Sequence, residues 1–154
     1  MVIYMSNNLK FLRENNDYIQ EDIANKLGIT RQSYSRWETE ELLIPYYQLN
    51  ELANIFNSSM DYIMGLTRIN KPTKKIEKLD FILVGSRITE IREDNDISMR
   101  SLATLLNTSH STISSYESGQ NLILISFAME LVKRYNISLD WLAGRSDIKY
   151  LPKD

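Results

Sequence analysis

Gln20 to Glu38 reads QEDIANKLGITRQSYSRWE, and the same pattern returns as Met99 to Glu117, MRSLATLLNTSHSTISSYE, 79 residues further on without a gap. In the first copy Ile23, Ala24 and Leu27 sit three or four apart, which gives one helix a single buried face. Gly28 stands where a helix commonly ends in a left-handed residue. Thr30 is placed to cap a second helix over Arg31 to Glu38. On that helix Tyr34 and Trp37 share one face, while Arg31, Gln32, Ser35 and Arg36 share the opposite one. In the second copy Leu102, Ala103 and Leu106 hold the apolar positions. Asn107 replaces Gly28, and both residue types readily adopt positive φ.

The same offset carries identities outward in both directions, at Arg13, Glu14, Asn16, Asp17, Ala24, Leu27, Ser35, Glu38, Glu51, Leu52, Asn57, Asp61 and Gly65. The chain is therefore an internal duplication. At 154 residues it divides into two modules of roughly 65 residues, each near the lower limit for a core that folds alone.

Composition narrows the function. Cysteine is absent, which removes disulfides, thiolate metal sites and thiol nucleophiles and agrees with a cytoplasmic location. MVIYMSNNLK has neither a basic n-region nor a long apolar stretch, and no run is long enough to span a membrane. One histidine, no glycine-rich phosphate loop and no ligand cluster argue against an enzyme, a cofactor, a metal or a small-molecule substrate. The net charge of −2 is unusual for a nucleic-acid binder. Placement offsets the sum, because Arg31 and Arg36 have the outward face of their helix to themselves. An amide and two guanidinium groups outside an aromatic inner edge suit a helix laid in the DNA major groove.

Further elements follow in order. Val2 to Met5 and its counterpart Phe81 to Val84 read either as a lead-in packed on the next helix or as a strand pair or dimer contact. Ser6 or Asn7 is placed to cap a helix over Asn8 to Asn15. Arg13-Glu14, repeated as Arg92-Glu93, reads as a structural pair. Gln20 is either a solvated first-turn residue or a phosphate or base contact. Thr39 to Ile44 is irregular, and Pro45 suits the first turn of a helix carrying Tyr46, Leu49, Leu52, Ala53 and Phe56. Ser59-Met60-Asp61 and Ser138-Leu139-Asp140 each start a fifth short helix, stopped at Gly65 and Gly144. Glu21-Asp22 and Glu38-Glu40-Glu41 read as solvated helix ends. Asn70 to Lys78, NKPTKKIEK, reads as a solvated tether. The domain reading is 1–68, a linker at 69–79, a second domain at 80–148 and a tail at 149–154 that carries no signal.

Both modules resemble the lambda-repressor/Cro-type helix-turn-helix domain, also called the XRE family. The residues that carry the resemblance are Gln20-x-x-Ile23-Ala24-x-x-Leu27-Gly28-Ile29-Thr30, Ser35-x-Trp37-Glu38 and Asp61-Tyr62-x-x-Gly65. In the second copy they are Leu102-Ala103, Ile113-Ser114-x-Tyr116-Glu117-x-Gly119 and Leu139-Asp140-Trp141-Leu142-x-Gly144. The resemblance implies an all-α fold of two tandem five-helix lambda-repressor-like domains, operator binding on double-stranded DNA and transcriptional control, often as dimers. By that similarity Arg31, Gln32 and Arg36, with Ser35 on the same face, match base-reading positions, and Gln20, Thr30 and Ser33 lie near the backbone. The corresponding residues of the second copy are Ser109, His110, Ser111 and Ser115, with Met99 in place of Gln20. Those side chains are short, so the second copy departs from the pattern where binding should be strongest. The first copy departs too, with Thr39-Glu40 where Ser118-Gly119 keeps the family's turn. The expected function is a sequence-specific DNA-binding regulator, a repressor. The rival is a protein-interaction module, antitoxin-like or anti-repressor, in which the second unit serves dimerisation or partner binding. The sequence leaves open whether the modules pair within one chain or between two.

Overall fold

The structure, a computed structural model, describes residues 6–153. Two compact units divide the chain, the first running to Glu77 and the second from Lys78 to Tyr150. The first holds α1 (Leu9–Asn15), α2 (Gln20–Leu27), α3 (Arg31–Glu38), α4 (Tyr46–Phe56) and α5 (Met60–Ile63). The second holds α6 (Phe81–Asp94), α7 (Met99–Leu105), α8 (His110–Glu117), α9 (Ile125–Tyr135) and α10 (Leu139–Leu142). Among the described residues there is no strand, only an isolated antiparallel bridge between Ile137 and Tyr150. The all-α, twice-five-helix expectation is borne out.

Local chemistry accounts for these short helices. Thr30, Ser59, Ser98, Ser109 and Ser138 each accept a backbone N–H three residues on, which satisfies a donor that the helix start leaves open. Left-handed residues end or follow them: Gly28 (φ 69°), Asn57 (φ 48°), Asn107 (φ 55°) and Asn136 (φ 56°). Ile19 has no side-chain acceptor; instead its own N–H donates to Asp22 Oδ2 at 2.9 Å. Pro45 sits one place before α4, at its N-cap rather than in its first turn. Ile23, Ala24, Tyr34, Leu49, Leu52, Ala53 and Met60 are fully buried at the centre of the first unit, and Val84, Ile88, Leu102, Ile113, Ala128, Leu131 and Leu142 at that of the second. Each Val, Leu, Ile or Met among them contributes about 1.5–3 kcal/mol of burial.

Three regions differ from the expectation. Val2 to Met5 lies outside the described residues, but Phe81 to Val84 is neither lead-in nor strand: it is the first turn of α6, which at 14 residues is twice as long as α1. The Asp80 side chain opens that helix by accepting from the N–H groups of Ile82 and Leu83. The extension lies on the end of α8. A Cβ on Gly85 would stand 2.3 Å from the Tyr116 carbonyl oxygen, and one on Gly119 2.8 Å from Ile82 Cα, so both must be glycine.

The stretch read as a solvated tether is docked instead. Asn50 and Asn54 donate to the Ile76 carbonyl at 3.0 and 2.7 Å, and Asn70 Oδ1 accepts from Ser58 Oγ and from the Ser59 N–H. Lys149 and Tyr150, read as a signal-free tail, belong to the second unit. Lys149 pairs with Glu90 at 2.8 Å and with Asp94, and its carbonyl accepts the Ser138 N–H. Its ammonium also lies over the Trp141 ring, 5.2 Å from the centroid.

Candidate nucleic-acid interface

In the first unit α2 and α3 meet through Gly28, and α3 turns its aromatic edge inward. Tyr34 and Trp37 are buried and pack edge to face, with centroids 6.1 Å apart. A buried ion pair fixes the position of α3. Arg13 of α1 donates through Nε and Nη2 to both oxygens of Glu38 at 2.7 and 3.1 Å, and its Nη1 reaches the Tyr18 carbonyl at 2.9 Å. The two side chains are 11% and 3% exposed, so one bidentate contact ties α1, the loop before α2 and the end of α3 together.

This overturns two expectations. Arg13 pairs with Glu38, not with its neighbour Glu14, which is exposed beside Lys10. Nor is Glu38 a solvated helix end. Burial alone would raise its pKa; hydrogen bonding from Arg13, aided by Gln20, outweighs burial and holds it below the ordinary carboxylate value. The Arg13 guanidinium is correspondingly raised, chiefly by its hydrogen bond to Glu38. Burial, then Glu38, also raises the Tyr34 phenol.

The candidate contact residues of the first unit fall into four groups. Arg31 and Gln32 are exposed and carry no hydrogen bond or ion pair among the described residues. Thr30 and Ser33 are exposed but joined to each other in the cap, Thr30 Oγ1 donating to Ser33 Oγ and accepting from its N–H. Gln20 is half-buried, its amide donating to Glu38 Oε1 at 3.1 Å, and Ser35 is half-buried as well. Arg36 is exposed, yet its Nε donates to the Glu41 carboxylate just beyond the helix. Sequence reading placed Glu41 among solvated acids and missed this pair; an opposite charge five residues on was the only signal.

The second unit keeps the clamp and changes the outer face. Arg92 donates through Nε and Nη2 to Glu117 at 2.9 and 3.0 Å and through Nη1 to the Ile97 carbonyl at 3.1 Å. Thr89 Oγ1 supplies a further donor to Glu117 at 2.7 Å, where the first unit uses Gln20. On α8, Ser109 Oγ shares hydrogens with Ser111 and Thr112, and Ser115 Oγ donates to the Thr112 carbonyl at 2.8 Å. Those hydroxyls close on their own helix. His110 is exposed at its start. Among the described residues no group of three or more His, Cys, Asp or Glu is arranged to hold a metal ion, and no helix is long and apolar enough to cross a membrane.

Two bihelical turns, each held by an Arg–Glu clamp inside a five-helix unit, define a tandem helix-turn-helix protein. A family model described as helix-turn-helix matches residues 9–63 and again 88–142, at the offset read from the duplication. The chain belongs to this helix-turn-helix family, of the XRE type. It is 37% identical over 70 residues to the uncharacterized HTH-type transcriptional regulator YobD of Bacillus subtilis (strain 168), covering 46% of this chain and 61% of that one. It is 37% identical over 59 residues to the uncharacterized HTH-type transcriptional regulator YqaE of the same organism, covering 38% and 51%. Neither match reaches two thirds of the relative's length. No solved structure matches the chain.

Proposed function

We propose that the chain is a sequence-specific DNA-binding transcriptional regulator, acting as a repressor, that lays α3 in the major groove of double-stranded DNA. The observation that carries this reading is the outer face of α3. Arg31 and Gln32 stand exposed and uncommitted on a helix whose orientation a buried ion pair fixes. Arg suits a bidentate contact to guanine and Gln one to adenine. The printed names of the two relatives, both transcriptional regulators, agree with the reading.

A second role attaches to the second unit. The closed hydroxyl network on α8 favours a platform for dimerisation or for a protein partner over a second base reader. Selection of bound duplexes from a random pool tests both statements. One recurring half-site that is lost with Arg31→Ala supports reading by α3 alone. Two half-sites of unrelated sequence within one footprint would give α8 a reading role, and no enrichment at low salt would remove DNA as the partner. A promoter reporter with the selected site then separates repression from activation.

A further inference from the structure

The Arg36–Glu41 pair is built differently from an incidental surface contact. The turn after α3 closes on Arg36 itself: its carbonyl accepts the Leu42 N–H at 3.1 Å and the Thr39 hydroxyl at 3.3 Å. Glu40 takes the left-handed conformation that this turn requires, at φ 62°, and its carboxylate accepts the Asn7 N–H at 3.1 Å. The backbone beside Glu41 is thus anchored on α3 and on the chain before α1. Glu41 then receives the Arg36 Nε, and among the described residues no hydrogen bond engages the terminal Nη1 and Nη2.

The internal copy separates this pair from the structural one. Arg13–Glu38 is kept as Arg92–Glu117 with the same atoms in contact. Arg36 and Glu41 are both replaced, by Ser115 and Gln120, although the turn there closes in the same way, with Gln120 and Asn121 N–H groups on the Ser115 carbonyl. The pair disappears together with the base-reading side chains while the fold persists.

We propose that Glu41 is a positioning residue for base reading: its carboxylate holds Arg36 by Nε, so that Nη1 and Nη2 form a fixed fork for the O6 and N7 of one guanine. This rests on the reading of α3 as the DNA-contacting helix. A guanidinium donates in one plane, and a fork that is already oriented loses less side-chain freedom on binding. The same carboxylate repels phosphates, which lowers affinity for every sequence alike. Only the orientation of the fork widens the gap between the correct site and its substituted forms.

The test uses the full chain, its selected duplex, the three duplexes substituted at the guanine assigned to Arg36, and a random duplex, by fluorescence anisotropy at two salt concentrations. The pair is exposed, so Glu41→Ala and Glu41→Gln should keep the wild-type far-ultraviolet circular dichroism and melting midpoint. Glu41→Ala should lose about 2- to 10-fold of its discrimination at that guanine while binding the random duplex more tightly. Glu41→Gln, which loses the charge but keeps a carbonyl oxygen for Nε, should bind the random duplex equally well and retain the discrimination. Equal gains on all duplexes for Glu41→Ala, with discrimination intact, would overturn the proposal and leave Glu41 a simple repeller. Failure of Arg36→Ala to weaken binding would remove Arg36 from the interface and overturn the proposal as well, whereas failure of the wild type to bind any duplex would remove the underlying reading of α3.

Discussion

The two units use one scaffold for two different outer surfaces. α1, α3 and the loop between α1 and α2 are joined by Arg13 and Glu38, and α6, α8 and their loop by Arg92 and Glu117, with the same nitrogens on the same carboxylate. Outside that clamp, α3 offers two guanidinium groups and an amide, whereas α8 offers an imidazole and hydroxyls bonded to their own helix. The duplication thus shows which residues the fold needs and which a binding surface can exchange.

The largest expected effect breaks what the units share. Removing one partner leaves the other charge buried, so Glu38→Ala and Glu117→Ala should each cost about 3–5 kcal/mol in their own unit. The chain has two tryptophans, Trp37 in the first unit and Trp141 in the second, so urea denaturation in Trp141→Phe and Trp37→Phe backgrounds follows each unit separately. A loss of under about 1 kcal/mol, the range of an exposed pair, would mean the clamp does not hold the turn.

Next comes the close approach of α6 to α8 in the second unit. Gly85→Ala would press a Cβ into two backbone carbonyls of α8 and should destabilise by about 1–3 kcal/mol. The corresponding residue of the first unit, Ser6, already carries a Cβ and is exposed, so Ser6→Ala should stay within about 0.5 kcal/mol. Equal effects in the two units would show that the α6 extension contributes nothing.

Substitutions on the outer faces sharpen the contrast in binding rather than in stability. Arg31→Ala and Arg36→Ala should each lower affinity for the selected duplex by about 1–3 kcal/mol and relax preference at a single base pair. His110→Ala and Ser115→Ala should each change it by less than about 0.5 kcal/mol. The reverse order in a titration would transfer the reading role to α8.

Much of this was legible in the chain because it is local. Caps, left-handed turns and the apolar stripe of α4 depend on residues within one or two turns of each other, so spacing reveals them. The clamp was not, although Glu38 and Glu117 stood among the identities. Its partner lies 25 residues away across a helix–helix contact that only the folded unit creates, and the adjacent Arg13-Glu14 dipeptide offered a nearer, wrong partner. The lysine-rich 70–78 stretch misled similarly. Its charges are solvated, but its docking uses Asn70 and a backbone carbonyl, which composition does not weigh. Phe81 to Val84 carried a readable signal in Asp80, a good cap directly before the run.

Acid should reveal the clamp through its proton balance. Glu38 titrates below its ordinary value of 4.5 when folded, so between the two values the unfolded chain binds more protons and stability rises with pH. Its contribution is complete above about pH 4.5 and is lost as pH falls through the folded value. Glu38→Gln should therefore flatten the acid limb of the first unit's stability curve, read from Trp37, with its loss of stability largest above about pH 4.5 and shrinking as pH falls. An unchanged acid limb would place the proton uptake on other carboxylates.

The smallest effect concerns the turns after α3 and α8, where Glu40 and Gly119 share a left-handed backbone at φ 62° and 79°. Glycine is required in the second unit by the nearness of Ile82, whereas the Glu40 side chain instead accepts the Asn7 N–H. Glu40→Gly would relieve a conformation that costs an L-residue about 1–2 kcal/mol. It would also give up that hydrogen bond, about 0.5–1.5 kcal/mol, and loosen the unfolded chain by a further 0.5–1 kcal/mol, roughly. These terms nearly cancel, so the melting midpoint of the first unit should move by no more than a few degrees. A large stabilisation would mean that the Asn7 contact is worth little and that Glu40 is retained for its charge beside α3. A large loss would make it a structural strut, the counterpart of the glycine-mediated packing of α6 on α8.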